Sequence, residues 1–490
     1  MKDGIFDLSD SEAEISRLER PASTRSWTTP DGAILELLVP ATVYPPREDT
    51  DLLCRALRSI GPGKGKRLLE IGCGSGAASL YASSLGYNTR ACDINPYAVA
   101  ATRKNAATWG FSIETHEGGP GPFADGEVAQ WAGSSPHDMI IWKLPYLSHE
   151  AAQGDVLGPL EEAALLDTDQ IGLVSRLMRQ VRENQLLAKN GLMLLLVSGN
   201  ERGVETESKA NGNGFAARCV ATHTFEDGEE LRVVAIWHPY AQAAVHAFES
   251  IDSTNRLALE EGTTEGDFFS AKQQTAGRGR RGRTWSSEAQ SFAGSWLLRT
   301  GAPELPPGLL QIIGGYAVMK ANQSIGVPDE AMALKWPNDV FIRNGMSTGK
   351  VAGVLVEGRS KGAKAKIVIG IGANFVQEKR ENRPFSIADL SEWMHPEDAG
   401  TYTSVIHAII ASYFERRNGI KPTDLENLIV NLERALKASA QILGEPIYRN
   451  ISWTIDGLTD DGNLRLVHPQ HGTEIIADGE DLIWPLTMND

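Results

Sequence analysis

A chain of 490 residues is too long for one hydrophobic core and predicts about two to four domains. Its formal net charge of −16, from 63 Asp+Glu against 47 Lys+Arg, excludes nucleic-acid or lipid binding driven by overall charge. No apolar run approaches the ~18 residues of a membrane span, and residues 1–20 are polar and acidic without a signal-peptide core. The four cysteines (Cys54, Cys73, Cys92, Cys219) show no CxxC, so reduced thiols and a cytoplasmic, membrane-free protein are expected.

Residues 1 to about 40 are mixed and charged, and are expected to lie over the surface. From Val43 to Trp237 strand-like and helix-like segments alternate. Strands are predicted at Arg67–Ile71, Thr89–Ile94, Asp138–Trp142, Gly191–Val197 and Leu231–Trp237, with helices such as Asn95–Thr108 and Leu173–Leu187 between them. Such alternation predicts βαβ units and a mostly parallel, doubly wound sheet. Within it, LLEIGCGSG puts Glu70, Gly72, Gly74 and Gly76 at a strand-to-helix turn, and the next strand ends at Asp93, placed to accept ribose hydroxyls. A lone glycine-rich turn is weak evidence; the acid one strand later strengthens it.

A short joint, HPYAQAAV, precedes a second mixed region from His246 to about Leu443. Two amphipathic helices, Tyr402–Arg417 and Asp424–Ala440, are predicted to close it. The last residues predict short strands (Ile447–Thr454, Asn463–Val467, Glu474–Ala477, Asp481–Trp484) with a turn at Asp461-Gly462, consistent with a small barrel.

The second region holds a local exception to the acidic chain: GRGRRGR, residues 277–283, with four arginines and three glycines. Arginine forks bind phosphate and carboxylate oxygens, while glycine lets backbone N–H groups approach the same ligand. The alternative is a solvated RG segment that binds RNA. Around the loop stand Ser253-Thr254-Asn255, Gln274, Trp285, the KWPND run (Lys335, Asp339), the GKVAGVLVEG run (Lys350, Gly353) and IGIGAN ending at Asn374. Singly, Ser-Thr-Asn is a helix N-cap, Pro-Asn-Asp a turn, and Lys350 a surface lysine.

Taken together, GRGRRGR with its Trp, KWPND and K-x-x-G-x-L-x-E resemble the biotin protein ligases over roughly His246 to Trp484. The lipoate ligases share that fold and are the alternative. The resemblance implies joining of biotin to ATP as biotinyl-5'-AMP, then transfer to a lysine of a biotin carboxyl carrier protein. It implies catalytic roles for Arg280, Lys335, Asp339 and Lys350. It places biotin against Ser253, Thr254, Asn255, Gln274, Arg278, Gly279, Arg280, Trp285 and Lys350. It places ATP against Arg278, Arg280, Lys335, Asn374 and Phe385, the last as lid of a loop Phe375–Phe385, with Mg²⁺ near Asp339. No segment before His246 reads as a DNA-binding winged helix; a homodimer is left open.

The first half resembles the class I methyltransferases that use S-adenosylmethionine, and is similar to the release-factor glutamine methyltransferases over roughly Val43 to Tyr146. The Y-x-P-x-E-D-T run supplies Tyr44, Pro46, Glu48, Asp49 and Thr50. That resemblance implies a cofactor held by Glu70, Gly72, Gly74, Gly76 and Asp93. The family's Asn-Pro-Pro-Tyr is replaced here by Lys143-Leu144-Pro145-Tyr146. Lysine offers donors only, so it cannot accept a hydrogen bond from an amide substrate as asparagine does. Three domains are expected: 1–240, a Rossmann-like methyltransferase fold; 246–443, an α+β ligase catalytic domain; and 444–490, an SH3-like barrel.

Overall fold

The computed structural model describes residues 21–120, 128–144, 172–285, 291–301, 304–345, 347–361, 364–376 and 386–485. The chain divides into two compact units: Met1–His238 with Arg416–Lys421, and Pro239–Glu415 with Pro422–Asp490.

The first unit opens on an antiparallel hairpin, β1 (Ser23–Thr28) and β2 (Ile34–Val39). This differs from the surface segment expected before residue 40. Trp27, Leu35, Leu37 and Val39 are buried on alternate positions, the period of a strand with one face inward. The seven-stranded sheet follows as β3 (Arg67–Ile71), β4 (Asn88–Asp93), β5 (Glu114–Glu117), β6 (His137–Lys143), β7 (Leu187–Ser198), β8 (Ala216–Thr224) and β9 (Glu230–Trp237). Its order is β5-β4-β3-β6-β7-β9-β8, with β9 antiparallel to both neighbours and the rest parallel. β8, absent from the predicted strands, pairs with β9 at the sheet edge. The order reverses between β3 and β6, the place where open α/β sheets bind ligands beyond the strand ends. The predicted helix Leu173–Leu187 ends at Glu183, because Leu187 already starts β7.

The second unit is built on β10 (Val245–Ile251), β11 (Phe268–Gln274), β12 (Ser291–Thr300), β13 (Met332–Lys335), β14 (Asp339–Asn344), β15 (Ser347–Lys361) and β16 (Lys364–Asn374). They run β10-β11-β12-β16-β15-β14-β13, antiparallel apart from the β10–β11 pair. Helices Pro307–Ser324, Ala399–Phe414 and Leu425–Leu443 pack on the sheet. The last two agree with the predicted pair within three residues at each end, and Asp424 caps the second through the Asn427 N–H.

Beyond them β17 (Ile447–Tyr448) pairs β18 (Ile451–Ser452), and β19 (Thr454–Leu458), β20 (Leu464–His468) and β21 (Gly472–Ile476) form a separate sheet. These sheets do not close into the expected barrel. The strand expected at Asp481–Trp484 is instead a 3₁₀ turn at Gly479–Asp481 and one bridge, Ile447 to Ile483. One core cluster runs from Phe268 to Trp484, so these strands share the sheet's core. Among the described residues no helix is long and apolar enough to cross a membrane.

Candidate active site

The KWPND run is a turn and a site element at once. Lys335 and Asp339 pair across the base of the β13–β14 hairpin, so their side chains share a face. Trp336 anchors the turn in the core and donates its indole N–H to Gly462 O at 2.9 Å. Asn338 donates to Val354 O at 2.9 Å and accepts from Arg280 Nη1 at 3.2 Å.

Lys350 reaches the same face through a register shift. Val340 pairs Ala352 but Phe341 pairs Lys350, so Val351 is the extra residue of a bulge. Without it, alternation would carry Lys350 to the other face. The ammonium stands 2.6 Å from Asp339 Oδ1 and lies over the Trp285 ring, 5.3 Å from its centroid. The long hairpin between Asp339 and Lys350 leaves both ends in place.

The arginine loop folds back on itself. Arg278 bridges Thr284, and Gly279 N–H donates to Arg283 O at 2.7 Å. Arg281 adopts the left-handed region at φ 56°, next to Gly282 at 74°. Its arginines then part company. Arg280 turns toward Asn338, Arg278 stands 3.6 Å from Glu357, and Arg281 and Arg283 pair with Asp478 and Glu480. Each of the four has a protein partner, although Arg278, Arg281 and Arg283 remain more than half exposed.

Beneath the loop lies a cavity of about 790 Å³. Ser253, Thr254, Asn255, Gln274, Arg278, Gly279, Arg280, Trp285, Lys335, Asp339, Lys350 and Asn374 all line it, so the predicted site residues that are described come together. Phe385 and residues 377–385 lie outside the described residues. Phe375, expected to begin the covering loop, is core, packed against Phe292 and Tyr402.

At one end of the cavity the lining side chains are uncharged, with one carboxylate, Glu357, behind them. Thr254 donates its N–H to Gln274 Oε1 at 2.9 Å, and Ser253 caps its helix through the Arg256 N–H. Asn255 Nδ2 donates to Glu357 at 2.8 Å, and its Oδ1 accepts from Ser295 at 2.5 Å. The floor is glycine for a steric reason. A Cβ on Gly370 would stand 2.1 Å from Asn255 Oδ1, and one on Gly372 2.5 Å from the Trp285 ring. Trp285 Nε1 is buried with no hydrogen-bond partner among the described residues, a donor for a bound group to satisfy. Asn374 Nδ2 reaches Ala388 O at 3.2 Å and so fastens β16 to the neighbouring chain.

The other end is electropositive. Five cations (Arg278, Arg280, Arg283, Lys335, Lys350) and two carboxylates (Asp339, Glu480) line the cavity, an excess of three positive charges. Burial pushes Lys335 and Arg280 below their ordinary ranges, opposed by Asp339 in both. An anionic ligand would restore both. Ser295, Asn338, Glu357, Gly370 and Gly372 were not among the predicted site residues. Glu357 and the glycines stood inside quoted motifs; Ser295 carries no local signal.

In the first unit, Gly72, Gly74 and Gly76 all hold positive φ (67°, 54° and 82°) at the end of β3. Asp93 ends β4, and its carboxylate accepts from Gly74 N–H and Asn95 N–H, each at 2.9 Å. Glu70 is buried behind the turn, bonded to Ser79, and desolvation raises its carboxyl to about 8. Lys143 pairs with buried Asp49 at 3.0 Å; Pro145 and Tyr146 lie outside the described residues.

The described residues contain no group of three or more His, Cys, Asp or Glu poised for a metal. Asp339 alone, already against Lys350, does not make a protein-held Mg²⁺ site. The positive-φ glycine turn at the end of β3 and the acid at the end of β4 are the residue types that suit a nucleoside-bearing cofactor.

Residues 247–374 match the Biotin/lipoate A/B protein ligase family, and residues 69–128 match a methyltransferase domain. The Biotin--[acetyl-CoA-carboxylase] ligase of Paracoccus denitrificans is 31% identical over 246 residues, 47% of this chain and 96% of that protein. The Ribosomal protein L11 methyltransferase of Thiobacillus denitrificans is 35% identical over 116 residues, 22% of this chain and 38% of that protein. A solved biotin protein ligase from Aquifex aeolicus, in complex with biotin and ATP, is 25% identical and covers 49% of this chain and 97% of its own, with a TM-score of 0.38.

Proposed function

The chain belongs to the biotin protein ligase family, and from that premise we propose that its second unit activates biotin with ATP and passes it to a lysine of a biotin carboxyl carrier protein. The excess of cations over carboxylates beside a glycine-floored recess lined by Ser253, Thr254, Asn255 and Gln274 carries the reading. Biotin brings a carboxylate and ATP a polyphosphate, so the ligands supply the charge that the cavity lacks.

In the first step a biotin carboxylate oxygen bonds to the α-phosphorus of ATP, and the bond to the β-phosphate bridge oxygen breaks, releasing pyrophosphate. Two anions meet, and charge builds on the phosphoryl oxygens. Arg280, Lys335 and Lys350 stabilise that charge, with Arg278 above the biotin carboxylate. Asp339 holds Lys350 in place until the ligand competes for it. Ser253, Thr254, Asn255, Gln274 and Gly279 bind and position the biotin ring and its chain, and Trp285 forms the wall. Asn374 and Phe385 border the adenine. Mg²⁺ would arrive with the nucleotide, neutralising pyrophosphate, near Asp339. In the second step the carrier lysine's neutral amine attacks the acyl carbon and AMP leaves.

The first unit reads as a nucleoside site for S-adenosylmethionine on Gly72, Gly74, Gly76 and Asp93, with Glu70 supporting the turn from behind. Boundaries at 1–240, 246–443 and 444–490 remain our partition. The bridge joining Ile447 to Ile483 supports an open SH3-like arrangement for the last part.

ATP–pyrophosphate exchange that appears with biotin and not with lipoate is the expected result. Exchange with lipoate alone favours the lipoate branch; none with either ligand overturns the reading.

A further inference from the structure

The cation at the end of β6 is spoken for from within. β3 and β6 run parallel with Ile71 beside Trp142, which sets Lys143 level with the start of the glycine turn. A Cβ on Gly72 would meet Trp142 Nε1 at 3.3 Å, and one on Gly74 would meet Val43 at 3.6 Å and Tyr44 O at 4.0 Å. The chain around Val43 and Tyr44 therefore lies across the same turn. Asn95, which follows Asp93, fastens it by donating to Thr42 O at 3.0 Å.

Into this space Lys143 points inward. Its ammonium stands 3.0 Å from Asp49 Oδ2 and 4.4 Å from the centre of the Tyr44 ring. Asp49 is 3% exposed, and its other oxygen accepts from Thr50 N–H at 2.6 Å. A carboxylate and an aromatic face are the two groups that receive a cation in a partly dry site. Here Lys143 engages both, and Arg47 also lies over the Tyr44 ring, 5.0 Å from its centre. Burial raises Asp93 and raises Glu70 to about 8, and the Lys143 charge opposes both shifts, which places it among the acids of the turn.

We propose that Lys143, held by Asp49 and Tyr44, stands in for the sulfonium charge, so that this unit selects adenosyl ligands with a neutral sulfur over S-adenosylmethionine. The inference rests on the nucleoside-site reading above. A sulfonium entering the site finds the carboxylate of Asp49 already neutralised by Lys143, whereas a thioether with the same adenosine and amino-acid ends needs no counter-charge. The unit is then a binding site for the spent form of the cofactor, and an asparagine-type amide acceptor is missing as well.

Titration calorimetry on the full chain tests this, with S-adenosylmethionine and S-adenosylhomocysteine as probes. Wild type should favour S-adenosylhomocysteine by about tenfold, since a sulfonium loses hydration there without gaining a free counter-charge. Lys143→Met removes the ammonium beside Asp49 and should level or reverse that ratio. The double variant Lys143→Met with Asp49→Asn guards against misfolding from an uncompensated acid. It should level the ratio too, with less gain for S-adenosylmethionine. A wild-type preference for S-adenosylmethionine, or a ratio unmoved in both variants, overturns the proposal and leaves the nucleoside site standing. Binding of neither probe to any of the three proteins overturns the nucleoside site itself, and this inference with it.

Discussion

The two units treat buried charge in opposite ways. In the second, five cations and two carboxylates line one cavity, and even with Glu357, which stands 3.6 Å from Arg278, the cations outnumber the acids. In the first, Lys143 is met by Asp49 and Tyr44, and the acid at the end of β4 is met by backbone N–H groups. Desolvated charge is costly unless paired. A fold that keeps a surplus relies on a ligand to complete it, while a fold that closes its own charges has withdrawn them from a ligand of the same sign. Glycine turns and strand order are shared by many sites; the charge left over tells these two apart.

Breaking the surplus should give the largest effect. Arg280→Ala and Lys350→Ala should each slow biotin-dependent ATP–pyrophosphate exchange by about 10² to 10³, the loss of one charge-assisted donor at a developing anion. Lys350→Ala also strands Asp339 beside the phosphates, so it should be the worse of the two. Lys143→Ala should leave exchange intact. Exchange within threefold of wild type in both Arg280→Ala and Lys350→Ala removes the assignment of the cavity.

Stability against pH sharpens the contrast next. His407 is buried; Trp296 Nε1–H donates to its Nδ1 at 2.8 Å, and desolvation lowers its pKa to about 4. Its contribution is complete above the unfolded value near 6.5 and is lost as pH falls through 4, worth about 3 kcal/mol by linkage. Glu70, raised to about 8, has the opposite sign. Its contribution is complete below about 4.5 and is lost as pH rises through 8. Hydrogen exchange, corrected for intrinsic rates, should show the second unit loosening from pH 6.5 to 4 and the first from pH 4.5 to 8. Glu70→Gln should flatten the first slope and His407→Gln the second. Parallel slopes in both units refute the assignment.

Overpacking the cavity floor ranks third. Gly372→Ala drives a methyl into the Trp285 ring, and Gly370→Ala drives one into Asn255, which Glu357 and Ser295 hold in place. Such clashes cost about 1–3 kcal/mol. They should appear as a higher KM for biotin with little change in the KM for ATP. Equal rises in both would place the floor under the nucleotide instead.

These residues also mark how far the sequence could be read. The cations were legible because GRGRRGR and KWPND are dense, local runs whose chemistry has few other uses. Strands of the first unit were legible from apolar runs such as Leu192 to Val197, buried on both faces of a parallel sheet. Ser295 was not legible: it meets Asn255 only because β12 crosses the sheet, and nothing in its own neighbourhood reports a contact 40 residues away. The bulge at Val351 was hidden for the same reason, since register belongs to a pair of strands. The β1–β2 hairpin alternates in burial but not in sequence, since every residue of Ile34–Val39 except Glu36 is apolar. Closure of the last strands was expected from their count, and count does not determine whether the end strands pair.

The smallest effect separates arginines within one loop. Arg281 and Arg283 pair with Asp478 and Glu480, but all four side chains are substantially exposed, so water screens each pair. Exposed pairs contribute about 0.2–1 kcal/mol, a factor of no more than about five. Arg281→Ala should therefore change biotin-dependent exchange less than Arg280→Ala by two orders of magnitude, although the residues are adjacent and chemically identical. Arg283, which borders the cavity, should fall between them and nearer to Arg281. Raising the salt concentration should erase the Arg281→Ala effect, because ions screen an exposed pair over a few ångströms, and should leave the Arg280→Ala defect in place. Equal defects in all three variants would mean that the loop acts through its total charge, and that the inward turn of Arg280 toward Asn338 carries no function of its own.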